Sequence, residues 1–272
     1  MRIAVLGDIH GNLPALEAAL QEIERLKPDQ IVVMGDIVDG APDSLACWRR
    51  AVELGVPMLR GNHERYVFDY GTPRASPEWS MAHFAPIRWA VAQCDEPSRA
   101  AMAALPMTLN LPSAPGVLFV HASARSDQDS VFMHTPEDHL EPMFAGTTAP
   151  LIVRGHNHLA GMRDWGSRRI VNLGAVGLPL DGHLAAQFGL LELRTDGWQV
   201  RHLAVPYDVD ATLRRFRESG YLEAGGPMAR LFLREVATAT HHFVPFLRHY
   251  GHAVREGRVD LGQAIDRFLS EY

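Results

Sequence analysis

The stretch VLGDIHGN at residues 5–12 constrains the chain most. An apolar run halts on a glycine, and two polar side chains, Asp8 and His10, follow at once. The pattern recurs as Gly35-Asp36 after IVVM, Gly61-Asn62-His63 after VPMLR, His121 after VLFV, and Gly155-His156-Asn157-His158 after LIVR. Short uninterrupted apolar runs read as strands buried on both faces, the kind that build parallel sheets under helices. In an open parallel sheet the carboxyl ends of the strands face the ligand. The polar groups of five distant segments are therefore expected to meet at one sheet edge, four of the five released by a glycine that turns sharply and admits close neighbours.

Helical patterns fill the gaps. Asn12 can cap a helix with Pro14 in its first turn, where a missing N–H costs nothing, and Leu16, Leu20, Ile23 and Leu26 keep one apolar face. A second helix runs from about Ser44 to Gly55, and 56–61 reads as a third strand. The segment 65–115, with its GTPRASPEWS loop and Ala-rich continuation, breaks the rhythm and reads as a helical insertion. Strands resume at 117–120, 151–155 and 170–174, and a hairpin turns around Asp196-Gly197. From Tyr207 the pattern is helical. The expected organisation is a domain over 1–206 carrying the insertion, with a helical C-terminal extension, 207–272, packed on it.

Composition removes several classes. Lys+Arg of 26 against Asp+Glu of 32 gives 26 − 32 = −6, with no basic stripe for a long nucleic acid. Lys27 is the single lysine and sits beside a helix-ending proline, so no P-loop or Schiff-base lysine is available. Cys47 and Cys94 are far apart and read as free thiols of a reducing compartment. A strand at the N-terminus without a leader, and no apolar run of membrane-spanning length, point to a cytoplasmic protein that does not enter a membrane.

Asp8/His10 and His156/His158 are i, i+2 pairs, and if extended geometry persists both members point to one side. Facing imidazoles and carboxylates call for a cation. Carboxylate, imidazole and amide oxygen suit manganese, iron or zinc, and the absence of cysteine from the set argues against a structural zinc site. Seven candidate ligands, Asp8, His10, Asp36, Asn62, His121, His156 and His158, are too many for one ion. If Asp36 is shared, two ions receive four contacts each. Two dications with two aspartates leave a local charge of +4 − 2 = +2 in an acidic protein, which suits a phosphate group.

These residues resemble the calcineurin-like metallophosphoesterases, whose pattern is D-x-H, GD, GN-H-D/E, H and GH-x-H. Here it stands as GDIHGN, GDIVDG, GNHE, VHAS and GHNH, in order, and NLGAVGLP at 172–179 is similar to a loop of the compact bacterial branch. The resemblance implies a four-layer α/β/β/α sandwich and two divalent metals, manganese first, with iron, zinc or nickel as alternatives. It implies one metal on Asp8, His10 and His158, the other on Asn62, His121 and His156, with Asp36 bridging. It further implies hydrolysis of a small, nucleotide-like phosphodiester or phosphomonoester by a metal-bridging hydroxide. His63 would be the general acid, Glu64 would orient its imidazole, and Asn62 would also face the substrate. Arg154, at the end of its strand, is a candidate phosphate contact or a surface ion pair.

The protein Ser/Thr phosphatase branch has an arginine where this chain has Gly40, which weakens a phosphoprotein phosphatase reading. Dinucleoside polyphosphate is a further substrate alternative. A non-catalytic metal-binding interaction module is the rival from another class, and an intact His63 counts against it. The tail histidines, His241, His242, His249 and His252, are expected to be packed or solvated, and the apolar stripe beside them to pack on the main domain or in a homodimer contact.

Overall fold

The computed structural model describes residues 1–272. Nine strands form two sheets. They are β1 (Arg2–Leu6), β2 (Gln30–Val33), β3 (Thr108–Leu109), β4 (Val117–Val120), β5 (Leu151–Arg154), β6 (Gly161–Trp165), β7 (Arg168–Asn172), β8 (Ala185–Arg194) and β9 (Gly197–Pro206). One sheet runs β2-β1-β8-β9 and the other β3-β4-β5-β7-β6. The parallel pairs are β1 with β2, β4 with β5 and β5 with β7, and all other pairings are antiparallel.

Eleven helices complete the chain. They are α1 (Leu13–Leu26), α2 (Ser44–Glu53), α3 (Asn62–Asp69), α4 (Ala85–Gln93), α5 (Glu96–Ala104), α6 (Glu137–Met143), α7 (Val209–Glu218), α8 (Tyr221–Ala224), α9 (Gly226–Thr238), α10 (Phe243–Arg255) and α11 (Leu261–Glu271).

Strand alternation builds the layers. In β1, Ile3 and Val5 face the second sheet and pack with Phe119, Val153, Val171 and Leu173, whereas Ala4 and Leu6 face α1 and α2 beside Leu16, Leu20, Cys47 and Trp48. On the far side, Leu118, Val120, Ile152 and Ile170 meet Leu140 and Phe144 on and just after α6. The order is helices, sheet, sheet, helix, the four-layer sandwich expected from the sequence. Both faces of these strands are covered, which is why they read as continuous apolar runs. Asn12 caps α1 through its side chain, bound by the Ala15 amide, with Pro14 in the first turn.

Several local expectations are corrected. Residues 56–61 are not a strand: a single parallel bridge, Val33 to Met58, joins them to β2, because Pro57 has no N–H to extend a ladder. The segment 65–115 begins inside α3, which starts at Asn62, and it closes on the short edge strand β3. The antiparallel strands β3 and β6 carried no pattern distinct from loop. The C-terminal helices share two apolar clusters, one of which includes Ala41 and Leu178 with Phe216, Tyr221, Phe232 and Val236.

Candidate metal centre

Backbone conformation sets the site before any side chain does. Eight non-glycine residues have positive φ, and six of them are Asp8, His10, Asp36, Asp39, His156 and His158. The left-handed region costs an ordinary residue of order 1–3 kcal/mol, and such strain gathers where function requires it. The i, i+2 pairs thus converge through left-handed turns, not through the extended geometry expected. The turns are tied together: the Asp8 amide donates to the Gly35 carbonyl, those of His10 and Gly11 to Asp36 and Ile37. Two glycines make room for carboxylates. A Cβ at Gly155 would fall 2.5 Å from Asp8 Oδ2, and one at Gly61 would collide with Asp36 Oδ1.

All seven sequence-predicted ligands come together. Asp8, His10, Asp36 and His158 form one group and Asp36, His121 and His156 a second, with ligand atoms within 4.8 Å of one another inside each group. Asn62 joins the second, its Oδ1 3.1 Å from His121 Nε2. His10 Nδ1 lies 3.0 Å from the Asp39 carbonyl and His121 Nδ1 2.9 Å from the Met34 carbonyl. A carbonyl only accepts, so both Nδ1 atoms carry a proton, and in the neutral rings, the form that binds a metal, both Nε2 atoms present lone pairs. Both Nε2 atoms point at other candidate ligand atoms. His10 Nε2 is 3.0 Å from His158 Nε2, and His121 Nε2 is 3.1 Å from Asp36 Oδ2 as well as from Asn62.

Asp36 Oδ2 is buried without a hydrogen-bond partner, ringed by the Nε2 atoms of His121, His10 and His63 at 3.1, 3.7 and 3.9 Å. Converging buried imidazoles and carboxylates, with one carboxylate oxygen common to both groups, fit a pair of divalent cations.

The protonation pattern expresses the same attraction. Burial pushes His10 well below its ordinary value, helped by His158 and His63. Burial and the neighbouring His121 bring His156 down to about 3. At His121 burial is outweighed by the Asp36 and Asp8 carboxylates, which raise it to about 9. Burial opposes ionisation of Asp36, yet His121 and His63 hold it well below the usual carboxylate range.

His63 sits at the first turn of α3 with its amide donating to Asp36 Oδ1 at 2.9 Å and its ring partly exposed. Burial lowers its pKa, but Asp36 and Asp39 prevail and lift it to about 9. Its Nδ1 is 2.8 Å from Asp39 Oδ2, while Nε2 turns toward Asp36. Asp39 was passed over in the sequence although it stands three residues after Asp36 in GDIVDG. It serves twice, with its carboxylate on His63 and its carbonyl on His10.

Glu64 does not take the orienting role assigned to it. Its carboxylate accepts from the amides of Gly61, Asp36 and Ile37 at 2.7–2.8 Å, which fastens the loop after β2 to the start of α3. The contact with the Gly61 amide is the Glu half of a capping box, since Gly61 has no side chain to return the bond, extended to a second segment. Arg154 is corrected too: it is fully buried and donates to the carbonyls of Ala122, Val131 and Asp129 and to Asn157 Oδ1. It is neither a phosphate clamp nor a surface ion pair, but a pin for the loops carrying His121 and His156. In the tail the His241 ring meets Glu235, which also accepts from the His242 amide, while the His242 ring turns to the Thr240 carbonyl.

The fold and family define a metal-dependent phosphoric ester hydrolase, and the chain belongs to the calcineurin-like phosphoesterases, whose family model matches residues 1–172. Among solved structures it is similar to a metallophosphoesterase from Sphaerobacter thermophilus, with a TM-score of 0.69 at 26% identity over 88% of this chain and 100% of that one. An uncharacterized protein of Methanocaldococcus jannaschii is 25% identical over 85% of this chain and 97% of its own length. Serine/threonine-protein phosphatase 1 of Salmonella typhimurium is 39% identical over 79 residues, and the match spans only 28% of this chain and 36% of that relative.

Proposed function

We propose that this protein hydrolyses a small phosphodiester or phosphomonoester, nucleotide-like in size, with two divalent cations held by Asp8, His10, His158 and Asp36 and by Asn62, His121, His156 and Asp36. Manganese is the first metal the family resemblance implies, with iron, zinc and nickel as alternatives that the mixed oxygen and imidazole donors also admit. When bound, such a pair polarises phosphoryl oxygens and supplies a water of lowered pKa. The observation that carries the reading is the partnerless Asp36 Oδ2 at the junction of both ligand groups.

The protein's own groups do the rest. Asp39 fixes Nδ1 of His63 as the protonated nitrogen of the neutral ring, and Nε2, when protonated, faces the centre as a proton donor to the departing oxygen. Asp39 and Met34 carbonyls fix the His10 and His121 rings with Nε2 inward.

Phosphoprotein is the weaker substrate reading despite the local likeness to a serine/threonine phosphatase. Gly40, where that branch has an arginine, has φ +104, and a Cβ there would sit 3.0–3.4 Å from the His10 side chain. No phosphate clamp is available from that position without strain.

Turnover of p-nitrophenyl phosphate and bis-p-nitrophenyl phosphate with added Mn²⁺ tests the reading. Hydrolysis of at least one, lost on chelation and regained with metal, is expected. Two bound metals with neither ester cleaved would transfer the protein to the non-catalytic binding class.

A further inference from the structure

The loop from Asp39 to Asp43 carries the groups that fix His10 and His63, yet it is held from outside by the insertion and the C-terminal helices. The Tyr221 hydroxyl, from α8, donates to the Gly40 carbonyl at 2.9 Å, and the side chain is fully buried. Its ring is wedged edge-on against Trp89 of α4 and Phe216 of α7, with centroids 5.7 and 5.2 Å away. From the insertion, Trp89 Nε1 and Gln93 Nε2 both donate to the Pro42 carbonyl, at 3.0 and 2.6 Å. The Arg215 guanidinium of α7 pairs with Asp43, and Thr212 Oγ1 donates to Asn12 Oδ1 at 2.9 Å, beside the Asp8–His10 turn.

Every link from Tyr221 to the centre is short. The Gly40 amide donates to Asp39 Oδ1 at 2.8 Å, and Asp39 Oδ2 meets His63 Nδ1 at 2.8 Å. The space a Gly40 Cβ would need is filled by His10, so the Gly40 backbone lies directly against that ring. The Ala41 amide donates to the His10 carbonyl at 2.7 Å. A phenol donating to one carbonyl thereby fixes the Gly40–Ala41 peptide, and the Asp39–Gly40 peptide joined to it at the Gly40 Cα carries the amide on the Asp39 carboxylate and the carbonyl on His10 Nδ1.

We infer that Tyr221 is a positioning residue for His63, acting through Gly40 and Asp39, and that the C-terminal helices are a working part of the catalytic unit, not a separable appendage. This rests on the phosphoesterase reading above. Burial raises the Tyr221 phenol well above its ordinary pKa, so it stays a donor throughout the working range.

The test is Tyr221→Phe in the full chain loaded with Zn²⁺, a diamagnetic ion that leaves imidazole protons visible by NMR. The aromatic wedge is kept and one hydroxyl is lost. Expected results are two bound zinc ions as in the wild type, kcat for phenyl phosphate reduced roughly 5- to 20-fold, and KM within about two-fold. The reduction is smaller for p-nitrophenyl phosphate, whose leaving group needs little protonation. The downfield His63 Nδ1 proton, identified by its loss in His63→Gln, broadens or shifts upfield. An unchanged imidazole signal, or kcat within two-fold of wild type on both esters, overturns the proposal. So does an equal loss on both esters accompanied by loss of zinc.

Wild-type protein that cleaves no ester overturns the phosphoesterase reading instead, and the imidazole signal then decides the role of Tyr221 on its own. If Tyr221→Phe does not fold, Trp89→Phe with Gln93→Leu removes both hydrogen bonds to the Pro42 carbonyl on the same loop. The same split between the esters then supports the proposal, and full activity with an unchanged signal overturns it.

Discussion

Asp36 and His63 are separated in role by where their unengaged atoms point. Asp36 has one oxygen on the His63 amide and the other free among three imidazoles. Asp36→Asn replaces a shared anionic ligand by a neutral amide, and metal analysis should show both ions lost. One ion retained at full occupancy would contradict the bridging assignment. His63→Ala should lower kcat for phenyl phosphate by about 10²–10⁴-fold and that for p-nitrophenyl phosphate far less. Equal losses on both esters would remove its role as acid. Arg154 calls for a different measurement. Arg154→Lys keeps the charge but leaves buried carbonyls without donors, at a cost of about 1–3 kcal/mol. The melting temperature should fall while KM for either ester stays unchanged. A KM that rises with no change in melting would restore the substrate contact denied to Arg154 here.

Elements were legible to the extent that one neighbour decided them. Strands covered on both faces announced themselves as apolar runs, and α1 by its cap, its proline and its 3.6-residue period. The seven ligands were legible because each follows such a run. What stayed hidden depends on contacts that spacing does not encode. Glu64 looked like a neighbour of His63 and is instead bound to amides of residues 36 and 37. Asp39 has no distinguishing local pattern, and Tyr221 meets its partner 181 positions away in the chain. The junction of α2 and α4 offers its own test. Cys47 and Cys94 are both buried and unpaired, and burial raises Cys47 well above its usual value and Cys94 to about 12. Both thiols should ignore a thiol reagent at pH 8 until the protein unfolds. Between about pH 9 and 12 the unfolded chain releases the Cys94 proton while the native fold keeps it, so native stability falls as pH rises through that window. Urea midpoints should drop faster there for the wild type than for Cys94→Ala, and parallel curves would show that the thiol is not shielded.

At the level of the whole molecule the candidate metal centre is a junction between the two sheets. Its ligands come from loops after β1, β2, β4 and β5 and from the first turn of α3. Removing metal leaves strained turns and facing lone pairs with nothing between them. Chelation should lower the melting temperature and metal should restore it, with about 2.7 kcal/mol gained at a free-ion concentration 100 times the dissociation constant. A melting temperature indifferent to chelator, with metal loss verified, would mean that the centre contributes nothing to cohesion. The topology also has a consequence for how the chain is made. β1 is the partner of both β2 and β8, with Arg2 opposite Glu192 and Val5 opposite Gly189. A growing chain can complete one side of β1 early, but the other side stays a bare hydrogen-bonding edge until some 180 further residues have emerged. At ordinary elongation speeds of about 5–20 residues per second that interval is on the order of 10–40 s. Throughout that interval the unpaired side of β1 is a template on which another strand can add.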